Sequence, residues 1–574
     1  MVRRALVAST LALLGLAGAA AAAVGAGPAA TTSTAALATG STTVATPTLA
    51  ASTGTTTAAG TTTTPAAASA PTSSATTLVF TGHGWGHGMG MSQWGAYGYA
   101  RNGWDYRSIL AHYYVGTTIG VEPALQIRVL LLDDKRTVTL SSGSPWKAVD
   151  ADGAHVALPG GQLSVGAALA VNGRPLVSPV TFAPGPTPLA VGGAAYRGKI
   201  ELVSNGKRLQ VVNVLPLESY LLGVVGSEMP STWPAAALEA QAVAARSYAL
   251  AELENVVTAQ AFDVYGDTRS QAYGGIAAES PPVAAAVRAT AHQVVLYGGT
   301  VATTYFSSSS GGRTASALEV LGRDVPYLQS VPDPYDTYSP YHTWGPTLVD
   351  AATAARALKV PGQLVSLTPA VGPSGHVTSV QAVGTNGTVR VTGAAVRVAL
   401  GLRSAWFSVG WLSLTPPPQP VAYGGVATLH GVARGVGAVT LETQEQGGTW
   451  QTVGPVTPAA DGTFVVAVRP AVSSSYRLAA GQVQGALVQV GVTPLVSATL
   501  SAGAVQGLVR PALPGAPVQV QRQDGLRWTT VATGTTDTSG AFSVAAQLAP
   551  GAYRVRCVAG HGLSPGVSPS ITQT

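Results

Sequence analysis

The chain has a single cysteine, Cys557, in 574 residues. It can therefore form no intramolecular disulfide and no cysteine-based zinc site, and Cys557 itself sits in an alternating apolar pattern expected of a core or edge strand. Charge is also scarce: 10% of residues are charged, against roughly 25% in an average globular protein. The net charge is +6 with no run of Lys or Arg, so a nucleic-acid-binding arm is excluded. A weak positive bias suits an acidic surrounding such as a cell wall. At this length one domain is too few, and three or four are expected.

Long apolar runs are confined to the start. Residues 1–26 carry Arg3 and Arg4, then an apolar stretch and small residues, the order of a secretory signal. An uncleaved anchor is the competing reading, and it would be the chain's sole membrane contact. Either way the remainder is expected outside the cytoplasm. Residues 27–77 are almost only Thr, Ala, Ser, Gly and Pro, and are read as a disordered tether.

From residue 78 the composition changes. Gly82-His-Gly-Trp-Gly-His-Gly-Met-Gly-Met-Ser-Gln-Trp94 predicts a strand running into a glycine-rich loop, then a helix from about Ser92. His83 and His87 are four apart, but the intervening glycines oppose the helix that zinc ligands at that spacing need. No metal and no cofactor is expected. A substrate-cleft loop with His87 and Gln93 as hydrogen-bonding groups is the preferred reading. Residues 120–198 form a β-rich subdomain of short apolar runs. Asn205-Gly206 marks a hairpin just after it.

The stretch from Pro216 to Glu254 organises the chain. A short apolar helix is predicted from Leu217 to about Val225, with Gly226 breaking it and Glu228 in the break. Ser231 or Thr232 then caps a second helix whose first turn accepts Pro234. On local pattern alone, a Glu at such a place complements a helix dipole. Held between two packed helices, it becomes a candidate acid with a raised pKa. On the second helix Gln241, Ala245 and Tyr248 share a face. Arg246, off that face, either pairs with a carboxylate or lines the cleft. Glu218 and Glu239 read as solvated or structural. After Pro416-Pro417-Pro418 the chain repeats: Trp450, Phe464 and Tyr476 match Trp528, Phe542 and Tyr553. Two immunoglobulin-like β-sandwich modules are expected, over 419–494 and 495–574.

The segment Ser227-Glu-Met-Pro-Ser-Thr-Trp-Pro, with Glu239-Ala-Gln-Ala-Val-Ala-Ala-Arg-Ser-Tyr248, resembles the stage II sporulation protein D family, also called the SpoIID/LytB or amidase-enhancer domain. So do Gly86–Ala96, Tyr305–Thr314, Pro326-Tyr-Leu and Leu400-Gly-Leu-Arg-Ser. Two departures stand out. The Gly-His-Gly-Met-Ser-Gln piece comes first here, as if permuted from the family's C-terminal position. The Ser307–Ser310 loop also lacks the cysteine of some relatives. The fold expected is multidomain: an α+β SpoIID-like catalytic domain over 78–413 with the β-rich insertion, then the two modules.

The resemblance implies action on peptidoglycan, as a lytic transglycosylase with Glu228 as its single acid and base. Gln241, Arg246, Tyr248, Ser310, Gly311 and Gly312, with His87 and Gln93, are the candidate substrate-binding residues. Trp85, Trp94 and Tyr305 are candidates to stack on sugars. The partners implied are glycan strands and a wall amidase, and the alternative role is a non-catalytic amidase enhancer.

Overall fold

The computed structural model describes residues 74–254, 260–501 and 503–574. The signal segment and the tether up to residue 73 lie outside the described residues. The chain is multidomain and mostly β, with few helices, and among the described residues no helix is long and apolar enough to cross a membrane.

Strand β1 (Ala75–His83) takes in the last three residues read as tether. Thr76 and Thr77 are buried, and the Thr76 hydroxyl meets that of Ser413 at 2.8 Å. β-branched Thr suits such a half-polar, paired position, so composition alone misjudged it. β1 pairs antiparallel with Thr343–Asp350 on one side and Phe407–Thr415 on the other. The same sheet continues through Ala427–Arg434 to Thr463–Val468, so it runs without a break into the first C-terminal repeat. Val79, Leu412 and Leu414 lie in the core of that repeat.

The segment before the central helices is β-rich as expected. Lys199–Ser204 and Leu209–Pro216 form a hairpin. Its turn is held by the Asn205 Oδ1 accepting from the N–H groups of Lys207 and Arg208. Gln126–Lys135 lies on the other side of Leu209–Pro216, in a seven-stranded sheet.

Four helices matter to the site: α1 (Gln93–Arg101), α2 (Tyr106–Tyr113), α3 (Leu217–Glu228) and α4 (Ala235–Glu254). Ser92 caps α1, accepting from the Gly95 N–H at 3.0 Å. α4 is the central rod. Its residues Ala237, Leu238 and Ala240–Ala245 are essentially inaccessible, and it packs against α1, α2 and α3.

Gly226 does not break α3, contrary to the sequence expectation; the helix runs through it to Glu228. The glycine serves close approach instead. A Cβ on Gly226 would lie 1.9 Å from the Ala278 carbonyl oxygen, and one on Gly223 would lie 2.6 Å from the Tyr273 ring. Three residues apart, the two glycines share a face, and the loop leading to Ala278 lies flat on it.

In the C-terminal repeats, Phe464 lies opposite Gly431 and Phe542 opposite Gly507. Arg477 covers the Trp450 ring at 3.9 Å and Arg554 covers Trp528 at 4.3 Å. The matching residues thus make matching contacts. Each repeat pairs two sheets, and Phe407–Thr415 stands in the first where Leu495–Ser501 stands in the second.

The Gly226 contact gives a test of sign. Ala for Gly inside a helix ordinarily stabilises by about 0.5–1 kcal/mol. Here the carbonyl contact reverses that, and Gly226→Ala is expected to cost about 1–3 kcal/mol net, read as a lower urea midpoint of the full chain.

Candidate functional site

α3 ends on Glu228, and Met229 leaves the helix in an extended conformation. The carboxylate therefore sits at the C-terminal end of a helix, whose dipole disfavours negative charge. That differs from the expectation of a residue placed ahead of a helix start. Partial burial adds to the effect and pushes the carboxyl pKa above its ordinary value. Two donors oppose the shift. The Ala272 N–H donates to Oε1 at 2.8 Å, and the Gln93 amide donates to Oε2 at 3.0 Å. Among the described residues no second carboxylate acts on its ionisation. The phenol of Tyr220 lies nearby, buried and without a hydrogen-bond partner.

Gln93 is the first residue of α1, and the segments around it interlock. Met91 and Ser92 run parallel to Phe306 and Ser307. The Trp85 and Ser309 backbones exchange hydrogen bonds, and the Gly86 N–H donates to the Arg403 carbonyl. The glycine-rich loop, the serine loop and the Leu400–Ser404 segment are thus one structure, though more than 300 residues separate their ends.

Asp336, fully buried, is the knot. It accepts from the hydroxyls of Ser92 and Ser309, from the N–H groups of Ser310 and Gly311, and lies 3.0 Å from His342 Nδ1. Asp333 is equally buried and accepts from the Ser310 hydroxyl at 2.7 Å. Burial, with Asp336 beside it, raises the Asp333 carboxyl to about 7. Neither aspartate was singled out from the sequence. The one signal was Asp333-Pro-Tyr-Asp336, two acids on one loop.

The expected site residues separate into groups. Gln93 is the one that touches Glu228. Ser310, Gly311 and Gly312 hold the serine loop together: Gly311 closes on Asp336, and the Gly312 N–H donates to Ser310 Oγ. His87 is partly buried, its Nδ1 accepting from the Met89 N–H at 3.0 Å. Burial and the nearby Arg397 lower its pKa to about 4, so it is neutral at physiological pH. Tyr248 is buried with its ring 5.7 Å from Tyr305. Gln241 is buried in the helical core, and its amide atoms lack hydrogen-bond partners.

Arg246 is not brought to Glu228. Its guanidinium forks onto Glu218 at 2.7 and 2.8 Å and donates to the Gln293 carbonyl at 3.0 Å. Of the two readings left open, the structure shows the carboxylate pair. Among the described residues no group of three His, Cys, Asp or Glu side chains is gathered as metal ligands. An apolar cavity of about 510 Å³ between the C-terminal repeats has Arg510 as its one ionisable lining residue, so it offers no acid–base chemistry.

Residues 205–297, which span α3, Glu228 and α4, match the family model described as SpoIID, Stage II sporulation protein. Over this segment the chain is similar to the SpoIID family. It is 40% identical over 141 residues to an uncharacterized protein of Brachyspira hyodysenteriae, covering 25% of this chain and 38% of that one. It is 32% identical over 217 residues to the stage II sporulation protein D of Bacillus subtilis, covering 34% and 61%. With the amidase enhancer of Bacillus subtilis it shares 38% identity over 128 residues, 22% of this chain and 17% of the relative. The SpoIID match therefore spans less than two thirds of each of these relatives.

Asp333 gives the domain a pH-dependent stability. Its folded pKa, about 7, lies above the roughly 3.9 of an unfolded Asp. The folded state therefore holds the extra proton between those values, and its contribution falls as pH rises through that window. Unfolding free energies measured from pH 4 to 8 should decline with pH in the parent and decline less in Asp333→Asn.

Proposed function

We propose that this is an exported, cell-wall-associated protein that remodels peptidoglycan as a lytic transglycosylase, with Glu228 as its single acid and base. The observation that carries the reading is the state of Glu228: a partly exposed carboxyl with a raised pKa, oriented by two N–H donors. Protonated, it delivers its proton to the glycosidic oxygen between N-acetylmuramic acid and N-acetylglucosamine. The C1–O bond breaks and N-acetylglucosamine leaves with that proton, while the carboxylate takes the proton of the muramoyl C6 hydroxyl, whose oxygen bonds to C1 and closes a 1,6-anhydro ring. One carboxyl group suffices, unlike the paired acids of hydrolytic glycosidases.

The similarity to the SpoIID family supports the wall as the setting, and the N-terminal basic and apolar segment supports export. The two C-terminal repeats fit immunoglobulin-like spacers. The relative named amidase enhancer favours a second reading, in which the chain binds the wall and stimulates a separate amidase without cutting glycan itself.

The test is digestion of peptide-free glycan strands by the full chain, with products identified by mass spectrometry. Ends in 1,6-anhydro-muramic acid, absent with Glu228→Gln, are expected. Reducing ends, or no cleavage by the parent, would sink the transglycosylase.

The Gln93 donor also sets a pH limit. It favours the ionised form of Glu228, so Gln93→Leu should raise the carboxyl pKa further. The alkaline limb of the kcat profile, where the acid loses its proton, should move to higher pH.

A further inference from the structure

α1 buries Gly95, Ala96, Gly98 and Tyr99 and turns other aromatics outward. Trp94, Tyr97 and Trp233 are each half-buried, and Tyr338 is 46% exposed. Trp94 and Trp233 have ring centroids 4.8 Å apart, Tyr97 and Trp233 also 4.8 Å, and Tyr97 and Tyr338 5.8 Å. The exposed Arg101 donates to the Tyr97 hydroxyl at 2.9 Å and lies within 6 Å of both tyrosine rings. Trp94, Tyr97 and Trp233 thus form a mutual cluster, with Trp94 and Tyr97 edge to face at 5.5 Å and Tyr338 edge to face against Tyr97. In a chain with 6% aromatic residues, such a partly exposed cluster calls for an occupant.

The cluster adjoins the candidate catalytic carboxyl through Gln93. Gln93, Tyr97 and Arg101 follow one another at four-residue intervals, so they line one face of α1 at about 6 Å spacing. Gln93 is bound to Glu228. Trp94 follows Gln93 in sequence, and Trp233, five residues after Glu228, packs on both Trp94 and Tyr97. A linear polymer lying along this face from Gln93 would pass partly exposed aromatic rings set at angles to one another, and then a cation. Saccharides match such a cluster, because their C–H faces stack on aromatic rings while their hydroxyls meet groups such as Arg101 and the Tyr97 hydroxyl.

We propose that Trp94, Tyr97, Trp233 and Tyr338, with Arg101, form a glycan-stacking platform that holds the polysaccharide strand on one side of the scissile bond. It rests on the glycan reading of Glu228 for its substrate class. The platform binds the strand whether or not cleavage follows, so binding and cutting are tested separately.

The experiment uses the full chain carrying Glu228→Gln and an N-acetylglucosamine–N-acetylmuramic acid tetrasaccharide, titrated calorimetrically. Tyr97→Ala and Tyr338→Ala are each expected to weaken binding on the order of tenfold. Tyr338→Phe, which keeps the ring, should bind like its parent. Melting curves confirm that each variant is folded. Alanine variants that bind like the parent, or a parent that does not bind, would overturn the platform. So would loss of amidase stimulation with saccharide affinity unchanged, since the cluster would then be docking a protein. Cleavage by the chain with native Glu228 is scored in parallel. If the ring variants lose binding while no strand is cut, the platform stands and the transglycosylase falls. If strands are cut and ring variants bind normally, the reverse holds.

Discussion

Two N–H groups from distant parts of the chain converge on one carboxyl, and the rest of the site follows from how they are delivered. Ala272 arrives because Gly223 and Gly226 flatten one face of α3, so that the loop through Tyr273 and Ala278 can lie against it. Gln93 arrives because Ser92 starts α1 beside the end of α3. Both donors favour the carboxylate, while burial and the helix terminus favour the acid. Under the proposed transglycosylase chemistry the group gives a proton and takes one back, and such opposed influences suit that, since either alone would fix it in one state.

Ser92 ties this pair to the Asp336 knot. Its hydroxyl caps α1 on one side and donates to Asp336 on the other. A buried carboxylate with this many donors is costly to disturb, because each donor left unpaired carries its own desolvation penalty. The serine loop is therefore better understood as the support that fixes where α1 begins. Its residues act on the candidate chemistry through the position of Gln93.

Much of this was legible in the sequence, for identifiable reasons. The Asn205-Gly206 hairpin, the helix start near Ser92 and the repeated Trp, Phe and Tyr are local signals, and local signals survive in a linear reading. Glu228 and Gln93 were picked separately, and nothing in their spacing says that they touch. Gly226 was misread because a glycine that permits close packing looks the same, in sequence, as one that ends a helix. Asp336 was missed because burial of a carboxylate is a property of everything packed around it. Arg246 shows an intermediate case: a helical projection gave its angle, but only the partner Glu218, 28 positions away, decides between cleft and core.

The shared sheet bears on what the C-terminal repeats can do. β1 leads directly into the glycine-rich loop, and its pairing partner Phe407–Thr415 belongs equally to the first repeat. A module joined by a flexible linker would be free to reorient; one that shares a strand is not. The glycine-rich loop is therefore anchored at its base by a strand whose other face packs in the core of the repeat. Any load carried by that repeat reaches β1 through backbone hydrogen bonds, while the second repeat, built on its own strand Leu495–Ser501, lacks that coupling. The first repeat is thus part of the scaffold of the site, while the second is built on a strand of its own.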